Sequence, residues 1–474
     1  MNAFLVWVFM PALASVVFFF TRRWERGSHL AGVVIALTLA WLAWALPIGE
    51  PIRLRLWTGM PSLRVDESTT FLGIRLLIDN SIRPLLIILY ITIAFWFGGA
   101  YFARTGSLFI PIGFGIASLL AAAWAVTPAI YAILIIELAF LLCVPIFSFP
   151  GKPVGRGVRR FLTFQISGMG LVLIMGWSLA VAAQQGLSPG DLRSGIALLG
   201  LGYMLILGII PFHSWIPMTA EESNPYSSAF VYFLLPTAVL ITVIDSLIRY
   251  TATPVSSDIY SAIRAIGLLM GLGGGLGAIL ERHIGRMMGY GVIHQIGTAL
   301  LLLSLYEITT PSRPLAGLFF ANLLPQGIAL ALWALALSRV DQEKKSLLLD
   351  TLQGKDSHPP IESTAIILAI FSLSGLPSLG SFPIYLPLWT ALAERSIWVV
   401  ISNIFGNILL FAAGLRVLVV LFNHSKQDGR TFSENRLLIG LLLIGALALF
   451  VIGLFPNTFI PFLTQTAVQL SSPK

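Results

Sequence analysis

The chain has 474 residues, of which 57% are hydrophobic and only 11% charged, and its formal net charge is +8. A soluble domain carries roughly 25% charged residues, so this chain cannot cover itself with polar surface and a water-soluble enzyme is excluded. The basic excess is read as residues that flank membrane spans and set their orientation, not as a nucleic-acid surface.

Apolar runs near bilayer-crossing length recur from end to end, without the short alternating segments of transmembrane strands. They predict an all-α polytopic membrane protein with spans at 3–20, 30–48, 83–103, 107–127, 128–149, 160–183, 195–212, 227–248, 259–281, 287–305, 314–338, 361–382, 397–422 and 436–463, about fourteen in all. The first run, Phe4 to Phe20, lacks a preceding basic region and a small-residue cleavage site, so it reads as a retained span. Arg22, Arg23 and Arg26 follow it. In the loop 49–82, Arg53, Arg55, Arg64 and Arg75 are offset by Glu50, Asp66, Glu67 and Asp79. Glu137 stands alone inside "AILIIELAFLLCV", the fifth span, and an isolated carboxylate at that depth is expensive enough to be a functional candidate. Cys143, the one cysteine, excludes an intrachain disulfide and a cysteine-based metal or iron–sulfur site.

Lys152, Arg156, Arg159 and Arg160 precede the sixth span. The seventh ends in "GIIPFHSWIPMTAEESN", where Gly208, Pro211 and Pro217 interrupt an apolar run. Each proline removes a backbone donor. His213 is read as fixing the loop, and Glu221 and Glu222 as pairing across a subunit boundary. Asp245 and Arg249 are one helical turn apart and read as an ion pair. "GLGGGLG", Gly271 to Gly277, has no strand before it and reads as close helix packing. Arg282 and Arg286 follow, and then His294 well inside the tenth span, either a proton relay or a histidine donating to a carbonyl. Segment 340–360, with Lys344, Lys345 and Lys355, reads as a surface loop or short amphipathic helix. A second interruption, "LSGLPSLGSFP", carries Gly375, Pro377 and Gly380. Two broken helices at corresponding places in two halves point to an ion or substrate path. Lys426 and Arg430 precede the last span. The loops richest in basic residues alternate with poorer ones, which places the basic set in the cytoplasm and both termini on the non-cytoplasmic side of a bacterial-type inner membrane or thylakoid-like membrane.

With these segments in order, the sequence resembles the antiporter-like membrane subunits of complex I, the Mrp antiporters and the energy-converting hydrogenases. "PFHSWIP" is similar to the family's Pro-x-His-x-Trp-Leu-Pro, "SNPYSSAFVYFLL" to the start of its eighth helix, and "LSGLPSLGSF" to its Gly-x-Pro-x-x-x-Gly-Phe break. "ERHIGRMMGYGVIHQIG", "IIELAFLL" and, faintly, "LLIDNSIRPLL" match other family segments, so the likeness spans about residues 75 to 420. It implies fourteen helices with two inverted five-helix repeats. The repeats are placed at 107–250 and 251–423, between N-terminal spans at 1–106 and a C-terminal span at 424–474.

The resemblance also implies a polar axis halfway through the membrane, in which a glutamate of helix five pairs with a lysine of helix seven and further lysines or histidines continue the line. Glu137 matches its glutamate. The lysine places read here as Ile206, Gln326 and Tyr385, and no span has a lysine in its interior. Arg416 resembles an arginine of the thirteenth helix, expected to meet an acid or a lipid headgroup. The candidate proton path is therefore Glu137, His294, Gln326, Tyr385 and His213, lacking the family's lysines. The chain offers no cofactor ligands, so redox cofactors are assigned to partner subunits. The first reading is an antiporter-like subunit of a multi-subunit complex that moves protons or cations. A non-pumping scaffold, a membrane partner of an inorganic-carbon uptake system with a hydrating subunit, and a stand-alone solute transporter are the others.

Overall fold

The computed structural model describes residues 2–49, 51–52, 63–71, 73–127, 130–147, 154–185, 189–250, 256–308, 315, 317–344, 346–352, 360–422, 435–458 and 461. Glu50, Arg53, Arg55, Pro128, Lys152, Lys345, Lys355, Lys426 and Arg430 lie outside these residues, as do the side chains of Asp245, Arg249 and Lys344.

The helices in chain order are α1 (Met10–Thr21, preceded by a wider turn, Leu5–Phe9), α2 (Glu25–Ala45), α3 (Arg83–Ala103), α4 (Phe109–Ala125), α5 (Ile130–Leu142), α6 (Val144–Phe147), α7 (Arg156–Gln185), α8 (Pro189–Leu207), α9 (Trp215–Glu222), α10 (Pro225–Tyr250), α11 (Ser256–Leu280), α12 (Ile284–Ser304), α13 (Gly317–Lys344), α14 (Leu349–Leu352), α15 (Pro360–Leu373), α16 (Phe382–Ala393), α17 (Ile397–Phe422) and α18 (Arg436–Leu454). Among the described residues, joining α5 with α6, α8 with α9 and α15 with α16 and setting aside the four-residue α14 gives fourteen crossings in the expected order. The fold is that of a polytopic membrane subunit with two inverted five-helix repeats. The most enclosed crossings are α10, α12 and α13; α2, α7 and α18 show most of their side chains to the surroundings.

Local chemistry explains the ends. Asn224 Oδ1 accepts the N–H groups of Tyr226 (3.0 Å) and Ser227 (3.2 Å), and Pro225 opens α10, so "SNPYSS" is a helix start. Asn224 Nδ2 also donates to Ala103 O (3.0 Å) at the end of α3. Asn435 opens α18 in the same way, its Oδ1 accepting Leu437 N–H at 3.1 Å. That helix stops at Leu454, short of the expected 463, and Pro456 follows directly.

The 49–82 loop holds strands β1 (Pro51–Ile52), β2 (Leu63–Arg64), β3 (Ser68–Phe71) and β4 (Ile74–Leu77). β3 and β4 pair antiparallel, and β4 pairs in turn with β5 (Val126–Thr127), which closes α4. The glycine-rich stretch of α11 packs backbone against backbone, as expected. A Cβ on Gly274 would stand 2.4 Å from His294 N in α12, and one on Gly275 2.5 Å from Gly406 O in α17.

Candidate functional site: two broken helices and their polar partners

The two interruptions are built alike. α8 ends at Leu207 and Gly208 turns to φ +63°. Gly208 N–H donates to Leu205 O (3.3 Å) and Ile209 N–H to Met204 O (2.9 Å). α15 ends at Leu373, and Gly375 follows at φ +78°. Gly375 N–H donates to Ser372 O (3.1 Å) and Leu376 N–H to Phe371 O (3.0 Å). This nested pair of bonds around a left-handed glycine is the Schellman arrangement. Each glycine is also a seat. A Cβ on Gly208 would lie 2.8 Å from Trp215 Nε1, and one on Gly375 2.7 Å from Tyr385 Cδ2. Both aromatic rings belong to the helix that resumes after the break, so the bare glycine lets the half-helices close on one another. Pro211 precedes the 3-10 turn Phe212–Ser214, Pro377 lies in the second turn, and Gly380 packs against Pro325 of α13.

The last carbonyls of a helix lack intrahelical donors and carry partial negative charge. At the first break Ile206 O accepts Gln165 Nε2 at 2.9 Å, across from α7. At the second, Leu373 O accepts Gln295 Nε2 of α12 at 2.8 Å and Tyr385 OH at 3.0 Å. Both carbonyls hold the same place, two residues before the left-handed glycine. Both are met by neutral donors, and one of them belongs to Ile206, the residue at a lysine place in the resemblance. Gln165 and Gln295 are buried, and the Oε1 of each has no hydrogen-bond partner.

The expected site residues separate into two groups. His294 and Tyr385 come together in the second half. His294 is fully buried, its Nδ1 bonded to Gly271 O and its Nε2 to Asn407 of α17, each at 2.8 Å. Thr298 Oγ1 bonds to His294 O and to Tyr385 OH, both at 3.3 Å. Trp389 Nε1 donates to Asn403 Oδ1 (2.8 Å), which ties α16 to α17. Gln326 is buried and accepts Asn322 Nδ2 (3.1 Å) one turn earlier in α13. Glu137 is 5% exposed in α5, and its Oε1 has no partner. Among the described residues no hydrogen bond joins Glu137 to His294, Gln326 or Tyr385, and Lys344, at the end of α13, is the one lysine. His213 sits in the turn between α8 and α9, with its ring 6.1 Å from that of Tyr290 and its Nδ1 without a partner. Gln165, Gln295, Asn403 and Asn407 were not among the expected residues.

Three charged groups have partners inside the chain. Among the described residues Arg416 forms no ion pair with an acid. It donates to Ile279 O and, at 3.3 Å, to Glu281 O, the carbonyls that end α11, where a cation complements the helix dipole. Glu221 and Glu222 are engaged inside the chain. Glu222 accepts Gly157 N–H (2.8 Å) at the start of α7. Glu221 lies 3.2 Å from Arg286, whose Nε reaches Glu281 at 2.8 Å. Arg286 thus clamps the resumed half-helix α9 to the α11–α12 turn. In that turn His283 Nδ1 accepts Arg286 N–H at 3.3 Å and caps α12. Burial pushes the His283 imidazole below its ordinary pKa, aided by Arg286 and partly offset by Glu221, Asp341 and Glu281.

The family pattern described as "NADH:quinone oxidoreductase/Mrp antiporter, TM" matches residues 161–411. Among solved structures, a chain of the membrane-bound sulfane sulfur reductase, an archaeal respiratory membrane complex, superposes with a TM-score of 0.78 at 16% identity, covering 99% of this chain and 97% of that one. A chain of the Mrp complex from Dietzia sp. DQ12-45-1b gives 0.78 at 16% identity, with 100% and 98% covered. One from Thermus thermophilus respiratory complex I with bound NADH gives 0.73 at 17%, with 99% and 98% covered. At such identities the likeness establishes the fold, along nearly the whole of each chain.

Proposed function

Because this chain belongs to the NADH:quinone oxidoreductase/Mrp antiporter membrane-subunit family, we propose that it is the antiporter-like subunit of a multi-subunit membrane complex in which it contributes mainly to coupling and assembly, with weak proton or cation conduction of its own. The observation that carries this reading is the pair of half-helix ends met by Gln165 and Gln295 where the resemblance places a lysine-based path. A proton station must take up and release a proton near neutral pH, and an amide does neither. His294 supports the same reading, since both its ring nitrogens meet amide oxygens, of Gly271 and Asn407, which neither take up nor release a proton near neutral pH. Glu137 remains an ionisable group at membrane depth, and moving a lone charge onward from it would cost several kcal/mol, with no lysine to offset it.

The repeats are proposed to run 107–250 and 251–423, with the basic loops on the cytoplasmic face and both termini opposite. Mild-detergent purification identifies the complex by its partners. A quinone-reducing, hydrogenase or antiporter set fits this proposal, whereas a zinc-dependent hydrating subunit would assign the chain to inorganic-carbon uptake. For a redox partner, the complex is reconstituted with Glu137→Gln and, separately, His294→Ala, and the proton-to-electron ratio is measured. The expected ratio is unchanged. A lower ratio with continuing electron transfer would show that this subunit pumps.

A further inference from the structure

At the start of α7 a hollow of about 350 Å³ is lined by Arg156, Arg159, Arg160, Thr163, Phe164 and Ser214. Arg160 Nη1 is held 3.2 Å from Ser214 Oγ and 3.4 Å from Met218 Sδ, which fixes one guanidinium at its edge. The carboxylate of Glu222 already caps the helix start through Gly157 N–H. Among the described residues no carboxylate comes within ion-pair distance of the three guanidiniums. Three cations against one nearby acid leave a net positive site that still wants an anion.

The helix below gives the second observation. Ile166, Ile174 and Trp177 are 52%, 61% and 68% exposed. They continue the line of Arg159 and Thr163 at helical spacing, on one side of α7. Gly170 lies on the same line, and a side chain there would meet nothing. The result is a shallow apolar track that begins at the arginines and descends along a membrane-spanning helix. Arginine binds phosphate oxygens in a planar two-point fashion, and an acyl chain needs only continuous apolar surface beneath its headgroup.

We propose that this hollow and track together bind an anionic phospholipid, with the phosphate on Arg156, Arg159 and Arg160 and an acyl chain along Ile166, Ile174 and Trp177. The site does not depend on whether the subunit conducts protons. A lipid is favoured over an acidic protein segment because the charge and the apolar track are collinear, as they are in a lipid molecule.

The test is native mass spectrometry of the full-length chain in detergent, offered phosphatidylglycerol or phosphatidylcholine. Phosphatidylglycerol should be retained on the order of tenfold better, as a basic cluster at a headgroup predicts. Retention should fall in the Arg156→Gln/Arg159→Gln/Arg160→Gln chain, fall less in the matching lysine chain, which keeps the charge but not the planar two-point contact, and fall in Ile166→Ser/Ile174→Ser. Thermal melting of each variant controls for folding, and single Arg159→Gln and Arg160→Gln chains serve if the triple variant fails. Equal retention of the two lipids, or full retention without the arginines, would overturn the proposal. So would displacement by inorganic phosphate without dependence on the track, which marks a free-anion site. Loss of an acidic co-purifying subunit in the glutamine variant, with lipid unchanged, would reassign the surface to a protein partner.

Discussion

The break after α8 and the break after α15 share their backbone and differ in their side chains. Both use a left-handed glycine, the same two nested hydrogen bonds and an aromatic ring seated on that glycine. The first then has one donor on its carbonyl, Gln165, while the second has two, Gln295 and Tyr385. The first half also keeps an ionisable group at depth, Glu137, and the second places His294 among neutral partners. The lesson is that a membrane helix can be broken and held broken without a cation. Glycine supplies the turn, and any fixed N–H or O–H group satisfies the exposed carbonyl. The charge that a conducting member would place there is an addition to the architecture, not a requirement of it.

The harshest way to break this equivalence is to fill both seats. Gly208→Val and Gly375→Val each force a β-branched residue into a left-handed backbone, at about 1–2 kcal/mol, and drive a side chain into Trp215 or Tyr385, at roughly 1–3 kcal/mol more. Both variants should lose most of their monodisperse protein in fluorescence-detected size-exclusion chromatography. If one is tolerated, the two turns are not equivalent in energy.

A sharper test removes the donors singly. Gln165→Leu leaves Ile206 O without its observed donor and should cost roughly 1–3 kcal/mol. Gln295→Leu should cost less, because Tyr385 OH still reaches Leu373 O. Combining Gln295→Leu with Tyr385→Phe should exceed the sum of the single losses, since the two donors share one acceptor. Thermal melting in detergent orders these variants; equal losses for the two glutamines would contradict the one-donor, two-donor difference.

The smallest effect lies in the turn that joins the halves. His283 must keep Nδ1 unprotonated to accept Arg286 N–H, and its pKa is depressed by burial. The unfolded chain therefore binds the proton more readily. The cap's contribution is complete above the ordinary histidine value of about 6.5 and is lost as pH falls through the lower folded value. On acidification the wild-type melting temperature should fall relative to that of His283→Gln. Parallel pH curves would show that this cap carries no linked proton.

The crossings and both breaks were legible because bilayer length and Gly/Pro chemistry are written locally. The β3–β4–β5 sheet was not, since it joins strands of two to four residues from a polar loop to Thr127, far along the chain. Glu137 stood out because a carboxylate in an apolar run is costly. Gln165, in "RFLTFQISGMG", did not, because a neutral amide at depth costs far less and carries no such alarm. Its signal was present, as the one amide side chain in its run. Gln295 was hidden beside His294, which drew the attention a charge-capable group draws. The contacts of Glu221 with Arg286 and of Glu222 with Gly157 N–H were not legible, because sequence shows charge but not the fold that brings these groups together.

The glycine seams of α11 have a mechanical consequence. Where backbone rests on backbone, as Gly274 does on α12 and Gly275 on α17, no side chain stands between the helices to change rotamer and absorb a shift. α11, α12 and α17 therefore form one stiff block, with Arg416 pinned across its end at Ile279 and Glu281. α15 and α16 meet that block through side-chain bonds to Gln295, Thr298 and Asn403, which can be exchanged one at a time. In the second half the broken helix is the jaw and the glycine block is the vice bed, so a shift between the two is taken up on the α15–α16 side.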